Sequence, residues 1–397
     1  MNLKTQLRRL NLFGFSACLR ITDAVWVVLL VSRGFSLWQI GLAEGIFHVV
    51  SLLCEIPSGM AADLIGRRRS LAMAGLCGCI SALLMAASST FLGVCCSMVF
   101  SSLSCSFISG SDEALLYDSL VQTGQEANYI PLSAKYTKIQ TVGRVLSNAA
   151  SLLASMLSYV GFYLLDACIG LLRVITALSL TEPTVTETQA QRQEHPFRDL
   201  KQRFLEHIHI AAGFLKRRPD VACIMLADGL VTLPSYLTLM FLQQRLSELG
   251  VATMWLGLPI MCISLASIAG VSVGEKLHPE GVWRLYAVIA LLVGCGTIAA
   301  GLLPVVPAIV GAMIASGAIN AWLLHLQKYL NSQYPSDQRA TLVSVNMMAY
   351  SVLMVGASPL TGRIGDLFGT AGAGLSALGM VILLTGICTM VTYKKRA

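Results

Sequence analysis

Arg20 and Asp23 lie one helical turn apart inside an apolar stretch, and Glu44, His48, Ser51 and Glu55 recur at intervals of three and four inside the next one. At 100° per residue the second set falls within a wedge of about 60° and climbs about 16 Å. Carboxylates load and release protons, and histidine titrates near neutrality. An ionisable group in a membrane span costs a few kcal/mol and normally faces a cavity or a partner. The stripe therefore fits two readings, a proton-carrying or polar path and a buried hydrogen-bond ladder between helices. Asp228, Thr232 and Ser235 share another face, as do Ser316, Asn320, Gln327 and Asn331, and both are candidate cavity linings. Asp166 and Arg173 share a face about 10 Å apart in rise and read as a brace within one bundle. His325, opposite the polar face that holds Asn320, reads as packing.

The elements that must hold these residues follow from composition. Of 397 residues, 55% are hydrophobic and 12% charged, with a mean hydropathy of +0.70. Soluble domains carry roughly 25% charged residues, so lipid is the solvent, which excludes a soluble enzyme and a nucleic-acid-binding domain. Each span needs about 20 apolar residues. Apolar runs predict twelve transmembrane helices over 11–32, 38–61, 70–88, 91–116, 138–159, 162–181, 220–243, 254–273, 283–303, 305–327, 340–361 and 371–392. Lys4, Arg8 and Arg9 precede a run too long for a signal peptide, so the first span reads as uncleaved. All twelve cysteines fall in apolar stretches and read as small packing residues, with no disulfide or zinc framework.

Of the 28 Lys and Arg residues, 23 fall at the termini, in the even-numbered loops and in the span ends that adjoin those loops, and 3 (Arg33, Arg245 and Arg363) in the odd-numbered loops. By the positive-inside rule both termini are expected in the cytoplasm, with the chain multi-pass in the cell (inner) membrane. The net charge of +7 is then mostly topology. The one long polar stretch divides the all-α integral membrane chain into two six-helix bundles, 1–181 and 220–397, joined by a linker over 182–219. Within the linker Phe197, Leu200, Phe204, Ile208, Ala211 and Leu215 recur at helical spacing among basic residues, as in an amphipathic helix on the inner leaflet.

Gly59, Asp63 and Gly66, followed by Arg67, Arg68 and Arg69, lie between the second and third spans. Gly59 would permit close helix approach and Gly66 a tight turn, with Asp63 and the arginines as a charged latch. The spacing resembles G-x-x-x-D-x-x-G-R-[KR] of the major facilitator superfamily, and span count, orientation and central linker resemble that family over the whole chain. Glu55-Ile-Pro57-Ser-Gly59, the run from Ser109 to Ser119, and Asn331, Pro335 and Arg339 to Ser344 resemble its bacterial branch. The resemblance implies the MFS fold and a cytoplasmic gate in which Asp63 and the loop arginines meet helix 11, near Arg339, and Asp112, Glu113 or Asp118 of helix 4. It also implies a midplane cavity ringed by helices 1, 4, 7 and 10, with Arg20, Asp23, Glu44, His48, Asp228 and Asn320 as candidates for substrate or proton coupling. Two departures stand out. Ser106 occupies the place of an arginine associated with proton coupling, and helix 5 begins Gly143-Arg144 without the Gly-Pro pair of drug/proton antiporters. Gly362, Asp366 and Gly369 repeat the loop spacing without the basic cluster and read as packing and turn chemistry.

Together these readings predict a secondary active transporter of a small molecule working by alternating access, with proton-coupled efflux as the leading mode. Metabolite uptake by symport or uniport, or a transport-dead receptor on the same scaffold, is the alternative. The sequence lacks H-E-x-x-H, G-x-S-x-G and G-x-x-x-x-G-K-[ST] motifs, so no enzyme activity, metal or cofactor is expected. The expected partners are the substrate, protons and the bilayer, with the chain a monomer and no nucleic acid bound.

Overall fold

The computed structural model describes residues 2–183, 213–279, 281–334 and 339–394; within its helices the side chains of Asp63, Asn331 and Arg339 lie outside the description. Among the described residues there are fourteen α-helices and no strand. In chain order they are α1 (Leu3–Cys18), α2 (Trp26–Val31), α3 (Leu37–Ile65), α4 (Arg67–Ala87), α5 (Phe91–Ile108), α6 (Ser111–Gln122), α7 (Tyr129–Ala149) and α8 (Tyr159–Ser179), then α9 (Pro219–Glu248), α10 (Gly257–Lys276), α11 (Val282–Leu302), α12 (Val305–Gln333), α13 (Arg339–Phe368) and α14 (Ala371–Lys394).

These helices supply twelve membrane spans. Ten are single elements or continuous pairs long and apolar enough to cross a bilayer. Of the other two, the fifth is α7 continued by a 3₁₀ turn over Ala150–Ser155. The first is not the continuous helix predicted over 11–32. It stops at Cys18, runs extended at Leu19, turns through 21–25 and resumes as α2. The fourth span also breaks, at Gly110, whose φ of +72° only glycine adopts without strain, and it continues to Gln122 rather than ending near 116. Helix α7 starts at Tyr129, nine residues before the predicted boundary. Its first turns carry Lys135 and Lys138 and extend past the apolar run that set the prediction.

The chain folds as two compact units. The first comprises Met1–Asp23 and Ile46–Ile208, the second Ala24–Gly45 and His209–Ala397. The boundary is therefore not only the linker expected at 182–219, because residues 24–45 pack with the second unit. The predicted amphipathic helix from Phe197 to Leu215 falls almost entirely on 184–212, outside the described residues.

Within the first unit the core gathers Leu10, Phe13, Leu71, Leu115, Leu116, Tyr136 and Ala177. In the second it gathers Val221, Ile224, Val231, Ile289, Val293, Ile319 and Trp322. Helices approach closely where small residues allow it. A Cβ on Gly41 of α3 would stand 2.5 Å from the carbonyl oxygen of Ser358 on α13, inside the second unit. Several helix starts are capped by acidic side chains distant in sequence. Asp366 accepts the N–H groups of Leu37 (2.9 Å) and Trp38 (2.8 Å) at the start of α3, and Glu248 accepts that of Ala371 (3.0 Å) at the start of α14. The repeat of the loop spacing around Asp366 thus makes a cap and a turn, with Gly369 at positive φ. All twelve cysteines are free thiols.

Candidate functional site

The break in the first span frees backbone groups from their helical partners within the membrane, and side chains of the first unit take them up. Asp166 of α8 accepts Ile21 N–H at 2.6 Å through Oδ1, and Thr22 N–H at 3.2 Å and Thr22 Oγ1 at 2.6 Å through Oδ2. Arg173, two turns along α8, donates from Nε to the carbonyl of Ser16 (2.8 Å) and from Nη2 to that of Leu19 (3.2 Å). Ser147 of α7 closes on the carbonyl of Arg20. Asp166 and Arg173 thus brace the bundle through the backbone of the first span. Beside this break lies a cavity of about 90 Å³, lined by Arg20, Ser101, Ser104, Tyr163, Asp166 and Arg173 among others. Arg20 donates from Nη2 to Ser101 Oγ at 2.9 Å, and its Nε stands 3.6 Å from Asp23 Oδ1.

The polar stripe of the second span lies on α3, which both units share. Glu44, 3% exposed, packs with the second unit, where the hydroxyl of Tyr236 on α9 reaches its Oε2 at 3.4 Å. His48, 8% exposed, packs with the first, its ring edge-on to Phe47 at 5.4 Å between centroids. Ser51 and Glu55 follow on the half-buried part of the helix.

In the second unit Asp228 of α9, 4% exposed, receives the indole N–H of Trp322 from α12 at 2.9 Å and the amide of Asn346 from α13 at 3.0 Å. Both donors are neutral, and among the described residues Asp228 forms no ion pair. Thr232, on the same face, is spent on the backbone carbonyls of Asp228 and Gly229. Asn320 is not part of this cluster, because its amide turns back to the carbonyl of Ser316 (2.9 Å). Ser316 Oγ in turn meets Ser267 Oγ of α10 at 2.6 Å, so that face of α12 contacts a neighbouring helix. His325 contacts the carbonyl of Gly274, also on α10, at 2.9 Å. Trp322 and Asn346 were not singled out in the sequence. A lone tryptophan in an apolar run gives no sign that its N–H is spoken for.

At the turn between α3 and α4, Gly66 adopts a φ of +89°. Three arginines open α4, against the sense of the helix dipole, and acidic side chains offset them. Arg67 pairs with Asp118 of α6, and Glu182 accepts the N–H groups of Arg67 (2.8 Å) and Arg68 (2.7 Å). Arg68 also donates to the carbonyl of Leu178. Of the three acids expected near the loop, Asp118 is the one brought to it. Asp112 is buried and held by Tyr136 (2.9 Å) and Gln140 (3.3 Å) of α7, while Glu113 is exposed in the first turn of α6. Gly59 was expected at a close helix contact, but a Cβ there would meet no described atom within 4 Å. The side chains of Asp63 and Arg339 fall outside the description. The sequence marks Glu182 only as the first residue of the polar linker. Among the described residues no three His, Cys, Asp or Glu side chains converge as a metal site requires.

A family model described as the Major Facilitator Superfamily matches residues 10–358. The chain belongs to the Major Facilitator Superfamily. As an MFS member it is a multi-pass membrane transporter. It is similar to the "Uncharacterized MFS-type transporter YxaM" of Bacillus subtilis (strain 168), at 24% identity over 392 residues, covering 96% of this chain and 94% of that one. Its fold matches the crystal structure of the nucleoside transporter NupG with a TM-score of 0.77 at 14% identity, over 100% of this chain and 99% of that one. It also matches a POT family transporter in complex with a thioalcohol-conjugated peptide, with a TM-score of 0.67 at 11% identity over 98% and 96%. At such identities the likeness establishes the MFS fold alone.

Proposed function

We propose that this transporter couples the movement of a small molecule to protons by alternating access, with Asp228 as the group that carries the proton. The setting of Asp228 supports this reading. It is an ionisable side chain inside a membrane span, almost wholly buried, and met among the described residues by two neutral donors only. Such groups are the usual material of proton relays. A cycle that alternately wets and dries this carboxyl would load and release one proton per turn. Glu44, buried in the same unit beside Tyr236, is the second candidate, with His48 next along α3. Arg20 and Asp23 are assigned to the substrate path. The latch of Arg67, Arg68, Asp118 and Glu182 is assigned to the cytoplasmic gate together with Asp63, Gly66 and Arg339. The placement of 23 basic residues in the termini, the even-numbered loops and the span ends that adjoin them supports cytoplasmic termini in the cell membrane. We assign export as the leading direction, with Ser106 and the missing Gly-Pro pair of helix 5 counting against it, and a monomer as the working unit.

The test is proton flux in proteoliposomes loaded with a pH-sensitive dye and offered a panel that includes nucleosides and peptides, the classes named for its fold neighbours. A transported solute is expected to move protons with it, the sign giving the direction. Solute flux without proton movement overturns the coupling. Asp228→Asn is expected to keep solute exchange at equal pH while losing gradient-driven accumulation at least tenfold.

A further inference from the structure

Asp228 is held by two side chains of the second unit that differ in what they can offer it. The indole of Trp322 reaches one carboxyl oxygen at 2.9 Å, and the amide nitrogen of Asn346 reaches the other at 3.0 Å. An indole N–H only donates, whereas an amide carries donors and an acceptor side by side. The amide oxygen of Asn346 is buried and has no hydrogen-bond partner. Among the described residues the contact with Asp228 is the one hydrogen bond of that side chain, so no other bond fixes the amide in one orientation.

The other groups around Asp228 do not compete for its proton. Helix α9 packs mainly against α2, α11, α12, α13 and α14, all in the second unit. The first of these, α2, carries no titratable residue. Tyr286 of α11, Tyr334 of α12 and Tyr350 of α13 bring hydroxyls within electrostatic reach of Asp228, and a phenol keeps its proton up to about pH 10. α14 meets this layer through Thr385, which accepts the hydroxyl of Tyr286 at 3.0 Å. Glu44 of α3 meets Tyr236, about two turns further along α9. Among the described residues no cation acts on Asp228. As a carboxylate Asp228 needs donors, and it has two. As a carboxylic acid it needs an acceptor for its O–H, and Trp322 cannot be one. Turning the Asn346 amide over exchanges nitrogen and oxygen, which puts the oxygen where the nitrogen stands now, at hydrogen-bond distance from Asp228 Oδ2.

We infer that Asn346 is a positioning residue that serves both states of Asp228, donating to the carboxylate and turning over to accept the O–H of the acid, while Trp322 serves the carboxylate only. The inference rests on the reading of Asp228 as the proton carrier. The proton stays on Asp228 Oδ2 throughout, and Asn346 changes only the atom it offers. Trp322 thus biases Asp228 towards release, whereas Asn346 keeps loaded and unloaded states both hydrogen-bonded.

Infrared difference spectra of the purified full-length protein in detergent, stepped from about pH 4 to about pH 10, test this without transport. The C=O stretch of the Asp228 acid is the band missing in Asp228→Asn, and its loss with rising pH gives the midpoint. Trp322→Phe removes a donor from the carboxylate and is expected to move that midpoint up by about one pH unit or more. Asn346→Leu, close to isosteric, removes a partner from both states and is expected to move it by less than about half as much. The side-chain amide band of Asn346 is expected to shift with the same midpoint and to vanish from the difference spectra of both Asn346→Leu and Asp228→Asn. Equal midpoint shifts in Trp322→Phe and Asn346→Leu make Asn346 a second donor and overturn the inference, as does an amide band that ignores the titration. If Asp228 titrates in the expected pattern while solute moves no protons in proteoliposomes, the coupling reading fails and this inference stands. A spectrum in which no carboxyl band depends on Asp228 overturns both.

Discussion

Asp166 takes the backbone N–H of Ile21 at 2.6 Å and so holds one side of a gap in the first membrane span. A helix can stop and restart within lipid only if its freed N–H and C=O groups find partners, and here a carboxylate and a guanidinium two turns apart on one helix serve both ends. Asp166→Ala leaves the N–H groups of Ile21 and Thr22 unpaired and is expected to lower stability by about 3 kcal/mol. A thermal melt in detergent reads this. A loss under about 0.5 kcal/mol would mean that the break is held by other contacts.

Glu182 does similar work at the start of α4, where three arginines face the positive end of the helix dipole. Glu182→Ala is expected to cost about 1–2 kcal/mol and to speed hydrogen exchange at the Arg67 and Arg68 amides specifically. Unchanged exchange at those two amides would remove Glu182 from the cap.

Arg67 and Asp118 are 18% and 13% exposed, so their pairing is screened less than a surface pair. Single alanine substitutions are each expected to destabilise the turn, and the double mutant to cost less than the sum by about 1 kcal/mol. Strict additivity in the cycle would show the two charges to be independent.

Gly41 sits where a Cβ would press on the Ser358 carbonyl at 2.5 Å. Gly41→Val is expected to destabilise the protein by about 1–3 kcal/mol through overpacking, whereas Gly59→Ala, with open space around it, should leave the melting temperature within a degree or two. Equal effects at the two sites would contradict the packing described.

Trp322→Phe removes the indole donor from Asp228 and keeps most of the aromatic volume. A cost of about 1–3 kcal/mol is expected for the acceptor left short, with Asn346→Leu additive only if the two donors act separately. A neutral Trp322→Phe would mean that the indole bond contributes nothing.

The number of spans, the loops that separate them and the family were legible in the sequence, because hydrophobic length and motif spacing are local properties that the bilayer reads directly. The Gly59-to-Arg69 motif likewise marked the turn where Arg67 meets Asp118, although three acids were equally eligible until the fold brought one of them to the arginine. The break at 19–25 was not legible. The stretch Leu19 to Val25 holds neither Gly nor Pro, and its local propensities give no reason to stop a helix. What stops it is Asp166, Arg173 and Ser147, all more than a hundred residues away. The same holds for Glu182 on α4, Asp366 on α3, and Trp322 and Asn346 on Asp228. A carboxylate or an indole announces its type in the sequence but not its partner, since hydrogen bonds are satisfied across space. Hydrophobic periodicity determined where this chain enters and leaves the membrane, and only the packing of distant helices decided which buried polar groups are paired with which.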